Sequence, residues 1–359
     1  MLRVVRTDAA VTVAEAAART GLSRPTVEVA LTDLAGLGLV EALAPAPGER
    51  RMGRPARSYR FRPEAGYVLG LDIGLHKVLA AVADLDGRVL ATHRIEVGSQ
   101  TLRKDRLATV RAAAKACLAA AGITRDRLWA AAAGTVGIVE PGGRVRLSSV
   151  IPEWTGLNLA RELGRSFPCP VTVENDANLA AVAERWLGEA RDVNEVVYLL
   201  AGMRMGAGVL SGGTLQRGHT GAAGEIGALA ALGWQDAPRQ LVDDPGTDFP
   251  EQVVAALIAS ARNGDRDAQA RIARFVDGIA LGTATMALAF DPELLVVGGG
   301  FARTGDLTVA MLQKHLNALC VSPPRVTSSS LGEESVALGA LRTALDVVES
   351  RLTDTGSGG

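Results

Sequence analysis

A chain of 359 residues exceeds what a single hydrophobic core ordinarily organises, so several domains are expected. Hydrophobic residues make up 48%, charged residues 21% and aromatic residues 4%, which excludes a disordered chain and implies a core of small aliphatic side chains. The formal net charge of -1 argues against a uniformly basic nucleic-acid binder, yet ten arginines fall between Arg3 and Arg62 against six carboxylates.

Apolar runs such as Ala130 to Ala133 and Leu294 to Val297 are far shorter than the roughly 20 residues that cross a bilayer. No membrane span is expected. Met1 leads into arginine-containing sequence without the long apolar stretch of a leader, so a cytoplasmic location is expected. Cys117, Cys169 and Cys320 lie far apart and form no Cys-x-x-Cys pair, which reads as three reduced thiols.

Near the start, Thr12-Val13-Ala14-Glu15 fits a capping box and predicts a helix from about Val13 to Arg19. Thr20-Gly21-Leu22 breaks it. Ser23 suits the N-cap of a second helix, Pro25 sits in its first turn, and Val27, Leu31, Leu34 and Leu37 or Leu39 supply an apolar stripe. Two helices joined through a glycine turn make a helix-turn-helix, whose second helix would offer Ser23, Arg24 and Thr26 to a major groove. The segment from Ala44 to Phe61 reads as a wing hairpin, with Arg51, Arg54 and Arg57 suited to phosphates and a narrow minor groove. Only Leu2 to Arg6 is available for a helix ahead of this pair, so that helix is short or the start is truncated.

Beyond Pro63, Tyr67 to Gly74 reads as a buried strand, and Lys77 to Asp84 with Arg88 to Val97 as a hairpin around a type I′ turn at Asp86-Gly87. A helix over Leu102 to Ala121 and a strand over Leu128 to Ala133 follow, an order similar to the ribonuclease-H-like lobe of sugar kinases and actin. Gly134 to Glu140 and Val171 to Asn178 each end a strand in a loop, where such sheets bind ligands. Val196 to Leu200 is a strand entering the glycine-rich run Ala201 to Gly213, whose glycines would let backbone approach a ligand. Asp265 to Phe290 and Ser335 to Leu352 read as helices, and Leu294 to Gly300 as a strand and turn.

These motifs in this order resemble the ROK family of repressors, open reading frames and kinases. The most specific pieces are Glu174-Asn175-Asp176-Ala177-Asn178 and Ala223-Gly224-Glu225-Ile226-Gly227. The resemblance implies an α/β architecture: a winged helix-turn-helix over 1–62, a first lobe over 63–175 joined by a terminal helix over 335–352, a second lobe over 176–334, and a disordered tail over 353–359. It implies that Gly137, Asn175, Asp176 and Glu225 contact a small sugar or sugar phosphate, and that Asp176 would be the base in a kinase.

Two departures shape the functional reading. The family's kinases carry Asp-x-Gly-Gly-Thr in the first phosphate loop, where this chain has Asp72-Ile73-Gly74-Leu75-His76-Lys77; in the second loop it has Gly202-Met203-Arg204-Met205-Gly206. Bulk replaces the phosphate cradle, so ATP binding is expected to be lost and no enzyme activity is expected. Ala228 stands where the family's zinc-binding His would be, and Leu229 to Phe249 contain no cysteine, so no zinc is expected. The expectation is a transcriptional repressor of carbohydrate genes that binds double-stranded DNA as a homodimer or tetramer. An ATP-dependent sugar kinase and a ligand-independent regulator remain as alternatives.

Overall fold

The computed structural model describes residues 1–6, 10–43, 57–202, 204–243, 250–299 and 305–354. They form two compact units, Met1–Val68 with Ala83–Leu90, and Leu69–Val82 with Ala91–Gly359.

In the first unit a short helix α1 (Leu2–Arg6) precedes strand β1 (Val11–Thr12), helices α2 (Val13–Thr20) and α3 (Arg24–Gly36), and strands β2 (Val40–Leu43) and β3 (Ser58–Phe61). The capping box forms as the spacing requires: the Thr12 side chain accepts from the Glu15 amide, and the Glu15 carboxylate accepts from the Thr12 amide at 2.8 Å. Ser23 caps α3 by accepting from the Thr26 amide. The strands order β1-β3-β2, with Val11 opposite Tyr59 and Val40 opposite Phe61, both pairs antiparallel. Val27 and Leu31 are fully buried, joined by Leu39 and not by Leu37, which is 52% exposed. The helix stops at Gly36, and the left-handed Gly38 turns the chain so that Leu39 points inward.

The hairpin turn in this unit differs from the expected type I′. Only Gly87 has positive φ, the Gly87 amide donates to the Asp84 carbonyl, and the Asp84 amide donates to the Arg88 carbonyl. That is a three-residue loop, a type I turn closed by a left-handed glycine. The Asp84 side chain favours it by accepting from the amides of Asp86 and Arg88, each at 3.0 Å.

The second unit is built on two five-stranded sheets. The first contains β4 (Tyr67–Ile73), β5 (Lys77–Asp84), β6 (Val89–Glu96), β7 (Leu128–Thr135) and β10 (Val171–Asn175) in the order β10-β7-β4-β5-β6. The small strands β8 (Ile138–Val139) and β9 (Val145–Leu147) pair beside it, and α4 (Arg103–Ala120) and α5 (Leu159–Gly164) connect its strands. The second sheet contains β11 (Val196–Leu200), β12 (Gly206–Ser211), β13 (Thr214–Leu215), β14 (Leu294–Gly298) and β15 (Arg325–Ser328) in the order β13-β12-β11-β14-β15. Helices α6 (Asp176–Leu187) and α10 (Ser335–Asp354) pack on each other so closely that a Cβ on Gly339 would lie 1.8 Å from the Leu179 carbonyl oxygen.

Helices α7 (Pro250–Arg262), α8 (Arg266–Phe290) and α9 (Gly305–Leu319) cover the second sheet. By length and composition α8 could cross a membrane, but Ile272, Phe275, Val276 and Ile279 are fully buried in a cluster with Val197, Leu199 and Leu295. It is the core helix of this layer. The α10 helix runs to Asp354, into the segment expected to be a disordered tail, and residues 355–359 lie outside the described residues.

Part of the glycine-rich run is strand, not loop. Gly208 lies in β12 opposite Tyr198, and a Cβ there would meet the Ala177 carbonyl oxygen at 2.5 Å and the Ala181 Cβ at 2.9 Å. The glycine lets the strand approach helix α6, and not a ligand, in correction of the sequence-based expectation.

Candidate functional site

Parallel pairing of β7 and β10 sets Asn175 beside Thr135 at the carboxyl ends of both strands. Asn175 is there the N-cap of α6: its Oδ1 accepts from the Asn178 amide at 3.1 Å, and its Nδ2 donates to the Gly137 carbonyl at 3.0 Å. Gly137 adopts φ 116, and any Cβ would lie 2.3 Å from the Leu147 carbonyl oxygen. Much of what Asn175 and Gly137 do is therefore to join two loops.

Glu174 braces the same corner. Its carboxylate accepts from the Asn178 side chain at 3.0 Å, from the Asn175 amide at 2.9 Å, and from the Arg217 guanidinium. This buried carboxylate has three donors, which offsets the cost of taking it out of water.

A cavity of about 330 Å³ opens in front of this corner, with Asn175, Asp176, Glu225, Gly137, Trp234 and Gln235 in its wall. All four sequence-predicted ligand residues meet there, although Glu225 comes from a separate segment, the single 3-10 turn Glu225–Ala228. Asp176, the first residue of α6, accepts from the Ala177 amide at 2.9 Å. Burial pushes its carboxyl up to about 7, the charge of Asp72 adds to this, and Glu225 contributes further. Glu225 is also shifted upward by the protein around it, though its side chain keeps access to solvent. A carboxyl that titrates near 7, as Asp176 does, can donate as well as accept hydrogen bonds, which suits a polyhydroxyl ligand.

A second cavity of about 170 Å³ adjoins the first through shared residues Val136, Asp176, Leu200 and Arg204, and reaches Asp72, Leu75, His76 and Lys77. Lys77 Nζ lies 3.6 Å from Asp72 and donates to the Glu333 carbonyl at 3.0 Å. The 74–76 turn is held from behind by Arg106, a fully buried guanidinium that donates to the carbonyls of Gly74 at 2.6 Å, Leu75 at 3.1 Å and Gly98 at 3.1 Å. Met203 lies outside the described residues.

In the first unit, Ser23, Arg24 and Thr26 are exposed together at the start of α3, with the Ser23 and Thr26 hydroxyls 2.7 Å apart. Arg57 is exposed just before β3, while Arg51 and Arg54 lie outside the described residues.

Sequence reasoning set Asp72 and Arg204 in the two loops that hold phosphates in the family's kinases, and did not place Arg106 or Trp234 at the site. Trp234 is fully buried, donates its indole N–H to the Ile279 carbonyl, and so fixes the 226–243 segment on α8. No cluster of three or more His, Cys, Asp or Glu side chains with metal-ligating potential occurs among the described residues.

The ROK family model matches residues 68–240 and 239–347. The chain is similar to the xylose repressor of Caldicellulosiruptor bescii, 22% identical over 331 residues that span 82% of each protein. Among solved structures, the ROK glucokinase of Streptomyces griseus in complex with glucose and AMPPNP superposes with a TM-score of 0.64 at 24% identity, covering 78% of this chain and 100% of its own. A ROK transcriptional regulator described as a homologue of the Escherichia coli MLC protein superposes with a TM-score of 0.73 at 19% identity, covering 96% of this chain and 95% of its own.

Proposed function

The chain belongs to the ROK family, and from that membership we propose that it is a DNA-binding transcription regulator whose body senses a small sugar or sugar phosphate. The observation that carries this reading is the coverage of the first unit: the regulator's fold extends over 96% of the chain, whereas the glucokinase accounts for 78%. We read α2, α3 and the β1-β3-β2 sheet as a winged helix-turn-helix, and residues 1–62 as the DNA-binding domain. Arg24 and Thr26 face base edges, Ser23 at the same surface caps the helix that presents them to DNA, and Arg51, Arg54 and Arg57 face phosphates or a minor groove.

In the body, the hydroxyls of the effector are held by Asp176 and Glu225, with Asn175 offering its remaining amide hydrogen and Gly137 its backbone. The protein acts as a homodimer or tetramer on half-sites about 34 Å apart or a multiple of that, so a modest rotation between subunits breaks simultaneous docking. Repression relieved by the sugar and a cytoplasmic location follow from this reading.

Neither ATP nor zinc belongs to the proposal. Leu75, His76 and Lys77 stand in the cavity wall in place of the small residues of the kinases' phosphate loop, and Trp234 packs the segment that would carry thiolates. A second reading, a sugar kinase, is favoured by one observation: Asp176 has its carboxyl near 7 inside the cavity, as a proton acceptor for a sugar hydroxyl would.

The deciding experiment is an electrophoretic shift with duplexes selected from genomic DNA, with and without a sugar panel, alongside an ADP-release assay on the same sugars. Specific retardation released by one sugar is expected. Steady ADP release that disappears in Asp176→Asn, with no duplex retained, would establish the kinase instead.

A further inference from the structure

We infer that a groove between α4 and the turn that follows α5 is a second ligand site, for a small molecule with an apolar body and a carboxylate or phosphate group. It lies within the second unit, is lined by none of the residues of the two cavities described above, and has a volume of about 660 Å³. That falls within the range of roughly 300–1,000 Å³ usual for small-molecule sites.

The groove has two chemically distinct parts. Its floor is apolar, with Leu118 and Phe167 each only 5% exposed. Its rim is cationic. Arg111 and Lys115 stand one turn apart on α4, and Arg125 and Arg165 belong to the other lining segments. Arg125 is oriented by donating to the Ser166 carbonyl at 2.9 Å, and Arg165 is paired with Glu162 at 2.7 Å. Among the described residues Arg111 and Lys115 have no carboxylate within ion-pair distance.

Four cations stand around an apolar concavity with one paired carboxylate among them, and an anion seated between the cations relieves their mutual repulsion. Guanidinium groups bind carboxylate and phosphate through paired N–H bonds, so either head group suits the rim. An apolar body makes contact with the floor of Leu118 and Phe167 that a simple inorganic ion does not make. A concavity of this volume suits a compact molecule better than an extended polyanion.

The test uses full-length protein and octanoate as the probe, with octyl phosphate to compare head groups and octanol as the uncharged control, all read by calorimetric titration. Saturable one-site binding of octanoate or octyl phosphate is expected, with octanol at least tenfold weaker. The double variant R111E/K115E weakens octanoate at least tenfold, and Ala119→Trp, which fills the groove from an exposed helix position, abolishes it. Arg204→Ala, in the other cavities, leaves octanoate affinity unchanged. Equal affinity for octanol and octanoate, no saturation by millimolar concentrations, insensitivity to both groove variants, or loss in Arg204→Ala would each overturn the assignment.

Discussion

The indole N–H of Trp234 donates to the carbonyl of Ile279 at 3.1 Å, in the middle of α8, and this contact ties one wall of the cavity to the core of the second sheet layer. Beneath the ring, Gly282 leaves the room it needs: a Cβ there would lie 2.3 Å from the indole nitrogen. Trp234→Ala removes a fully buried aromatic and is expected to cost about 3–5 kcal/mol, and Gly282→Ala about 1–3 kcal/mol by overpacking. The wall should loosen as well, because Gln235 Nε2 donates to the Gly227 carbonyl at 2.8 Å and so couples Trp234's segment to the Glu225 turn. Urea unfolding measures the first effect and sugar affinity the second. A Trp234→Ala protein as stable as the parent would remove the basis for this role.

Asp176 gives a pH dependence whose sign follows from the upward shift of its carboxyl. In the unfolded chain the group titrates near 3.8, and in the folded protein near 7. Below about pH 4 both states hold the proton and the residue contributes nothing to stability. As pH rises toward 7 the unfolded state ionises first, so the folded state is progressively penalised, and above about 7 the penalty levels off. Asp176→Asn keeps an acceptor for the Ala177 amide and removes the ionisation. The variant is therefore expected to be more stable than the parent at pH 8, by an amount on the order of a few kcal/mol, with the difference vanishing toward pH 4. Denaturant unfolding of both proteins at the two pH values checks it; a difference that does not change with pH would mean that Asp176 ionises normally in the fold.

Local chemistry was well legible in this chain. Thr12 with Glu15, Ser23 with Pro25, and Asp265 at the head of α8 announce helix starts because capping uses residues two or three apart. Strand β11 was likewise readable from its short apolar run. Strand β12 was not, because the glycines that let it lie on α6 erase the alternation that marks a strand. The site divided along the same line. Asn175 and Asp176 lie in one motif and Glu225 in another, and the family resemblance linked them. Trp234 and Arg106 were missed because their meaning lies in distant partners: Ile279 and Gly282 for one, the carbonyls of Gly74, Leu75 and Gly98 for the other.

Arg106 should behave as a positioning residue for the 74–76 turn. Burial pulls its guanidinium down to about 10, still charged at neutral pH, and its partners are three backbone carbonyls. Hydrogen bonds from a charged donor are each worth about 1.5–3 kcal/mol, so Arg106→Met is expected to destabilise by on the order of 3 kcal/mol. Amide exchange should accelerate most at Leu75 to Lys77, where the clamp is lost. Uniform acceleration across the second unit, without preference for that turn, would mean that Arg106 contributes only general packing.

The start of α3 separates a structural from a recognition role within four residues. Ser23 supplies the cap and is linked to Thr26 through both the Thr26 amide and its hydroxyl, whereas Arg24 is exposed and has no carboxylate within ion-pair distance among the described residues. Ser23→Ala is thus expected to lower stability by about 1 kcal/mol, the usual worth of an N-cap, and to weaken all duplexes alike. Arg24→Ala should leave the melting midpoint unchanged and cost about 1–3 kcal/mol on the best duplex only, flattening preference at one base position. Binding measured across single-base operator variants at several salt concentrations distinguishes them. If Arg24→Ala instead weakened every duplex equally and lowered the salt slope, the guanidinium would be contacting a phosphate, and base reading would have to come from elsewhere on α3.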